Sequence, residues 1–202
     1  MDSRNILILG GYGNFGKRIV ESLLDFTAVK LIIAGRSLEK ASNLCRVCAR
    51  QDPAALLEPA VLDINDVLFE EQLRKLNPFL IIHTGGPFQG QDYRVPQACI
   101  NIGCHYIDLA DDRRFVCDIG RLNTAAKEKG VLVVTGASFV PGLSATVVDH
   151  YVSKFQTLET IDYAIAPGNK AERGEATVRA ILSYTGHPFQ VFRSNSWALT
   201  VN

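Results

Sequence analysis

A chain of 202 residues with 47% hydrophobic and 21% charged residues has the composition of a folded globular protein, which excludes a disordered tail, a collagen-like repeat and a mini-protein. Its 21 basic residues balance 21 acidic ones, so charge points neither to nucleic acid nor to an anionic membrane as a partner. At about 150 residues per domain, the length predicts one full domain and a remainder.

The N-terminal Met1-Asp2-Ser3-Arg4-Asn5 runs at once into an apolar stretch, without the longer apolar run and small-residue cleavage site of a secretory signal. That stretch, 5–9, is the first predicted strand, and it ends on a glycine cluster. Helical spacing follows over 14–25, with Ile19, Leu23 and Phe26 three and four apart. A second strand is predicted at 30–34 and a second helix at 38–50, whose Leu38, Ala41 and Leu44 share a face. Ser37, three residues ahead of Lys40, marks the start of that helix. The pattern repeats with strands at 59–63, 80–83, 105–109 and 131–135 and helices at 67–76, 94–102 and 113–129. Asp66 precedes Glu70 at the start of the third helix, and Gly130 stands where the last should stop. The strands are β-branched or Leu-rich without strict polar alternation, as expected of parallel strands buried on both faces.

Each parallel crossover needs a connecting helix, so this alternation predicts an α/β fold. Six strands in two halves fit a doubly wound parallel sheet of Rossmann type, here assigned to residues 1–156. The longest charge-free run, 130–148, contains Gly136, Pro141 and Gly142 and does not read as a membrane span. After a helix at 143–155 the character changes. A strand is expected at 159–166, a turn at 167–169, a loop at 172–174 and a helix at 176–184, with no element closing the chain over 197–202. Some fifty residues rarely build their own core, so 157–202 reads as the beginning of an incomplete α/β substrate or dimerisation domain in a longer protein. Packing on the first domain, or on a second copy as a homodimer, are the alternatives.

The glycine cluster holds G-x-G-x-x-G as Gly11, Gly13 and Gly16, following a strand, opening a helix and lying within a β-α-β unit. In that setting Gly11 permits the tight turn, Gly13 lets backbone approach a pyrophosphate and Gly16 lets helix and strand pack closely. The N–H groups at the helix start face the anion. Tyr12, Asn14 and Phe15 complete this candidate cofactor loop. An NAD site would carry a carboxylate about 20 residues further on, at the end of the second strand. Here the sequence is Ile33-Ala34-Gly35-Arg36-Ser37, with no carboxylate before Glu39. Arg36 can pair with a 2′-phosphate and stack on adenine, and Ser37 and Lys40 can add donors. The expected cofactor is therefore NADP, with NAD less favoured. Asp63, ending the third strand, suits either the adenine amine or a helix cap.

Taken together, residues 10–16, Ala34-Gly35-Arg36-Ser37 and His83-Thr84-Gly85-Gly86-Pro87-Phe88 give a chain that resembles the saccharopine dehydrogenase-like family, its bacterial members most of all. Cys104-His105-Tyr106-Ile107-Asp108-Leu109-Ala110-Asp111 and the run 136–142 extend the likeness over nearly the whole chain. The resemblance implies an NAD(P)-binding Rossmann domain, a larger α/β substrate domain after the sixth strand, and reversible hydride transfer at a carbon–nitrogen bond of an amino-acid adduct. In its light Gly85 and Gly86 let backbone approach the nicotinamide ribose, Pro87 stiffens the exit and Phe88 walls the ring. His83 is either an acid or base or a hydrogen-bonded structural residue. Asp108 and Asp111 follow the fifth strand, where such sheets place ligands, and either orient an amino-acid-like amine substrate or a lysine of the larger substrate domain, or cap the loop.

Other chemistries are less well supported. A short-chain dehydrogenase needs Tyr-x-x-x-Lys, and Tyr151-Val152-Ser153-Lys154 has the wrong spacing. Cys45 and Cys48 form a C-x-x-C inside a predicted helix without two further zinc ligands at suitable spacing, so no metal is expected. Five cysteines, an odd number, read as reduced thiols of a cytoplasmic protein. The rival of another class is a non-catalytic NADP(H)-binding sensor or scaffold, which would bind cofactor without turnover.

Overall fold

In a computed structural model of the protein, the structure describes residues 4–166, 168, 170, 174–183, 185–193 and 196–201. Strands β1 (Arg4–Leu9), β2 (Val29–Gly35), β3 (Leu56–Val61), β4 (Leu80–His83), β5 (His105–Asp108) and β6 (Val133–Val134) form one sheet in the order β3-β2-β1-β4-β5-β6. Every neighbouring pair is parallel. Helices α1 (Asn14–Ser22), α2 (Leu38–Ala49), α3 (Phe69–Leu76) and α4 (Arg94–Ile102) connect the first five strands.

Alternation along each strand sends side chains to two separate cores. Leu7 and Ile32 pack with Leu73, Val95 and Tyr106 on one face. Ile8, Leu31 and Ile33 pack with Val20 and Leu44 on the other. This burial on both faces is why the strands read as continuous apolar runs. The chain order reverses between β1 and β4, and a doubly wound sheet opens its ligand crevice beside the carboxyl ends of such strands.

Several elements depart from their sequence-based expectation. The helix expected over 113–129 is broken into α5 (Arg113–Asp118), a 3₁₀ turn at Ile119–Leu122 and α6 (Asn123–Glu128). Gly120 stands at the break, where its poor helix propensity acts. Asp112 caps α5 by accepting from the Phe115 amide at 2.8 Å. The third strand begins three residues earlier than expected and ends at Val61, and β6 keeps only two residues of the expected five. The strand expected at 159–166 is irregular, exposed chain. The expected turn at 167–169 and loop at 172–174 fall largely outside the described residues.

Beyond the sheet come α7 (Ser144–Tyr151), with a 3₁₀ turn after it, and α8 (Glu175–Ser183). The chain does not end without an element: β7 (Pro188–Arg193) and β8 (Ser196–Val201) pair as an antiparallel hairpin. Trp197, Leu199 and Val201 alternate with polar or small residues, a period-2 signal short enough to pass unread. Among the described residues no helix is long and apolar enough to cross a membrane.

Candidate dinucleotide site

The loop between β1 and α1 is built by close backbone approach. The amides of Gly10 and Gly11 both donate to the Ala34 carbonyl, at 2.9 and 3.1 Å, tying the loop to β2. Gly10, outside the three-glycine pattern, carries the left-handed backbone at φ 80°. A Cβ on Gly11 would lie 2.9 Å from both Ile33 Cγ2 and the Ile8 carbonyl oxygen. One on Gly16 would run into the Gly10 carbonyl and the Gly11 backbone. Gly11 and Gly16 are therefore packing glycines, and the turn itself is made at Gly10. Gly13 differs, since its Cβ would meet only the Gly10 carbonyl, at 3.1 Å. Gly13 is the N-cap of α1, and its other side opens on a cleft.

The cleft encloses ≈ 680 Å³ over the carboxyl ends of β1, β2 and β4. Gly10, Tyr12, Gly13, Asn14 and Phe15 form one wall, whereas Gly11 and Gly16 lie behind it. Tyr12 joins this wall to the next. Its hydroxyl accepts from the Ser37 amide at 2.9 Å, and its ring lies where a Cβ on Gly35 would come within 2.7 Å. Arg36 lines the cleft with an exposed side chain and forms no ion pair among the described residues. Ser37 is not on the cleft wall, and its hydroxyl accepts from the Lys40 amide at 3.3 Å as the cap of α2. Asp63 lines the cleft and folds its own loop, Oδ1 accepting from the Asn65 amide at 3.0 Å.

Beyond β4, Gly85, Gly86, Pro87 and Phe88 line the same cleft. Thr84 fastens this loop to the glycine loop, donating to the carbonyls of Leu9 and Gly10 at 2.9 and 3.1 Å. Gln91, missed in the sequence, donates to the carbonyls of Gly85 at 3.0 Å and Pro87 at 2.7 Å and so sets the loop's path. A glutamine carries no motif of its own, and only its position just after Gly-Gly-Pro-Phe could have drawn notice.

The three candidate acid–base residues separate. His83 lines the cleft yet is 1% exposed, with Nδ1 3.0 Å from the Tyr106 hydroxyl and its ring edge-on to Phe88. Its Nε2 is buried without a hydrogen-bond partner among the described residues. Burial pushes its imidazole from 6.5 down to about 4, with the nearby Gly85 backbone opposing the shift. The ring is neutral at pH 7 and is poorly suited to moving a proton there. Asp111 is exposed on the cleft and accepts from Gln89 Nε2 at 3.2 Å. Asp108 is fully buried off the cleft wall. It accepts from the amides of Ala110 and Gly136 and the hydroxyl of Thr135, each at 2.9 Å, and thereby ties β5 to the chain after β6. Burial, reinforced by the Asp108 carboxylate, pushes the Tyr106 phenol well above its ordinary value and keeps it protonated.

The depressed imidazole has a consequence for stability. Below pH 6.5 the unfolded chain takes up a proton that the folded chain refuses, so stability falls until the folded value near 4 is reached. About 2 kcal/mol should be lost between pH 7 and pH 5 from this group. Urea titrations of His83→Asn should show that part of the slope removed; an unchanged slope would place the titration elsewhere.

The cleft suits a dinucleotide: a backbone cradle that side chains would fill, a helix start facing it, and a free guanidinium at the end of β2. Residues 6–134 match the family model of the saccharopine dehydrogenase NADP-binding domain. The chain belongs to that family. A probable mitochondrial saccharopine dehydrogenase-like oxidoreductase of Arabidopsis thaliana is 28% identical over 145 residues, covering 67% of this chain and 32% of that protein. Apo saccharopine dehydrogenase (L-Glu forming) of Saccharomyces cerevisiae shares the fold at a TM-score of 0.55 and 18% identity, covering 75% of this chain and 32% of that one. A short-chain dehydrogenase of Mycobacterium smegmatis shares it at 0.51 and 12% identity, over 77% and 89%. This saccharopine dehydrogenase-like chain thus spans about a third of the length of its plant and yeast relatives. Among the described residues no three His, Cys, Asp or Glu side chains converge as metal ligands.

Proposed function

We propose that this saccharopine dehydrogenase-like chain is the cofactor-binding part of an NADP-dependent oxidoreductase that transfers hydride at the carbon–nitrogen bond of an amino-acid adduct. Arg36 carries the reading: an exposed guanidinium opens on the cleft at the end of β2, where an NAD site would carry a carboxylate. Gly13, Asn14 and Phe15 would hold the diphosphate, Arg36 the 2′-phosphate and Asp63 the adenine edge. Ser37 serves indirectly by capping α2. Gly85, Gly86 and Pro87 form the floor of the nicotinamide half, and Phe88 excludes water from it.

Bound NADPH would supply the hydride, and the protein's part is position and charge. Asp111 is the carboxylate placed to orient the ammonium of an amino-acid-like substrate. His83, neutral and fixed by Tyr106, holds the floor in place. Asp108 supports it from behind by pinning the loop after β6. Residues 157–202 belong to the substrate-binding part of the protein, and the odd number of cysteines suits a reducing compartment such as the cytoplasm.

With a complete substrate domain present, the reaction class is tested by following NADPH consumption with an amino acid and an aldehyde, which together form an imine. Consumption requiring both partners is expected. Consumption with the aldehyde alone would mark a carbonyl reductase and overturn the C–N assignment.

A further inference from the structure

The family match ends at residue 134, yet the cleft has a wall from much later in the chain: Gly174 and Thr177 line it. A Cβ on Gly174 would lie 3.9 Å from Asn14 Cβ, which places the start of α8 against the glycine loop. At its other end the same segment is fastened beside Asp111. Arg113 Nη1 donates to the Gln190 carbonyl at 3.0 Å, and its guanidinium lies 4.9 Å from the centre of the Trp197 ring. Described parts of this later segment thus meet the sheet domain at two places, α8 beside the glycine loop and the β7–β8 hairpin at Arg113, two residues beyond Asp111. Thr177 is half-buried on the inner side, and its hydroxyl has no hydrogen-bond partner among the described residues.

We propose that this segment is a strap across the cofactor and that the Thr177 hydroxyl donates a hydrogen bond to the diphosphate, opposite the glycine loop. The inference rests on the cofactor reading above. A diphosphate held from one side by Gly13–Phe15 leaves oxygens on its far side open to further donors, and a hydroxyl on the facing wall satisfies one of them without adding charge.

Equilibrium titration of the whole chain with NADPH and, separately, with adenosine 2′-monophosphate, which lacks the diphosphate, tests the proposal. Thr177→Val should weaken NADPH about tenfold, the loss of one hydrogen bond to a charged group, and leave the monophosphate unchanged. Thr177→Ser should restore NADPH binding, and Thr177→Glu should weaken it further by placing a carboxylate against the anion. Arg113→Ala, which removes the contacts to Gln190 and Trp197, should also weaken NADPH. Unchanged NADPH affinity in Thr177→Val and Thr177→Glu, with wild type binding normally, overturns the proposal; so does an equal loss for the monophosphate. If wild type binds neither ligand, the cofactor reading itself fails and the strap with it.

Discussion

Replacing Gly13 by valine is expected to abolish dinucleotide binding while the fold survives. The backbone at Gly13, φ −73° and ψ 174°, accepts any L-residue, and the Cβ meets only the Gly10 carbonyl, at 3.1 Å. The cost to the fold is a few tenths of an ångström of adjustment and a poorer helix cap, about 1 kcal/mol. The two methyl groups, however, project into the space that a diphosphate must occupy to reach the first amides of α1. Losing two or three hydrogen bonds to a charged group costs roughly 4 kcal/mol, about a thousandfold in affinity. Thermal melting and NADPH titration on one preparation check both halves. A folded variant that still binds would show that the anion sits elsewhere. Gly16→Ala makes the contrast, because its methyl group meets the backbone of Gly10 and Gly11 and should damage the fold itself.

The second large effect is selective. Arg36→Ala should weaken NADPH by about a hundredfold, the removal of a bidentate charge-assisted pair, and NADH by less than about threefold. Arg36 is exposed, so its removal leaves the core intact and the two cofactors can be compared on one folded protein. Equal losses for both nucleotides would mean that the guanidinium stacks on adenine without reading the 2′-phosphate.

Much of this fold was legible in the sequence because its strands are buried on both faces. Leu31, Ile32 and Ile33 serve alternate cores yet all exclude water, so the apolar run and the strand coincide. The break in the helix expected over 113–129 is hidden because periodicity does not register a single Gly120, and the closing hairpin because its apolar alternation spans only a few residues. In the site, the types of side chain were readable, and their orientations were not. Ser37 and Asp108 lie where spacing puts them, but their oxygens are already engaged by the Lys40 amide and by Ala110, Thr135 and Gly136. Tyr12 and Gln91 are the converse, since Tyr12 joins two segments and Gln91 braces its own loop through bonds that no motif encodes. His83 shows both limits. Its place at the end of β4 was evident, while its burial, and hence its neutrality, belongs to Phe88 and Tyr106 packing around it.

Side-by-side fluorescence titration of the wild-type chain with NADPH and NADH bears most directly on the assignment of the cleft. Saturable binding of NADPH, clearly tighter than that of NADH, is the predicted result. A folded protein that binds neither nucleotide, or prefers NADH, would contradict it.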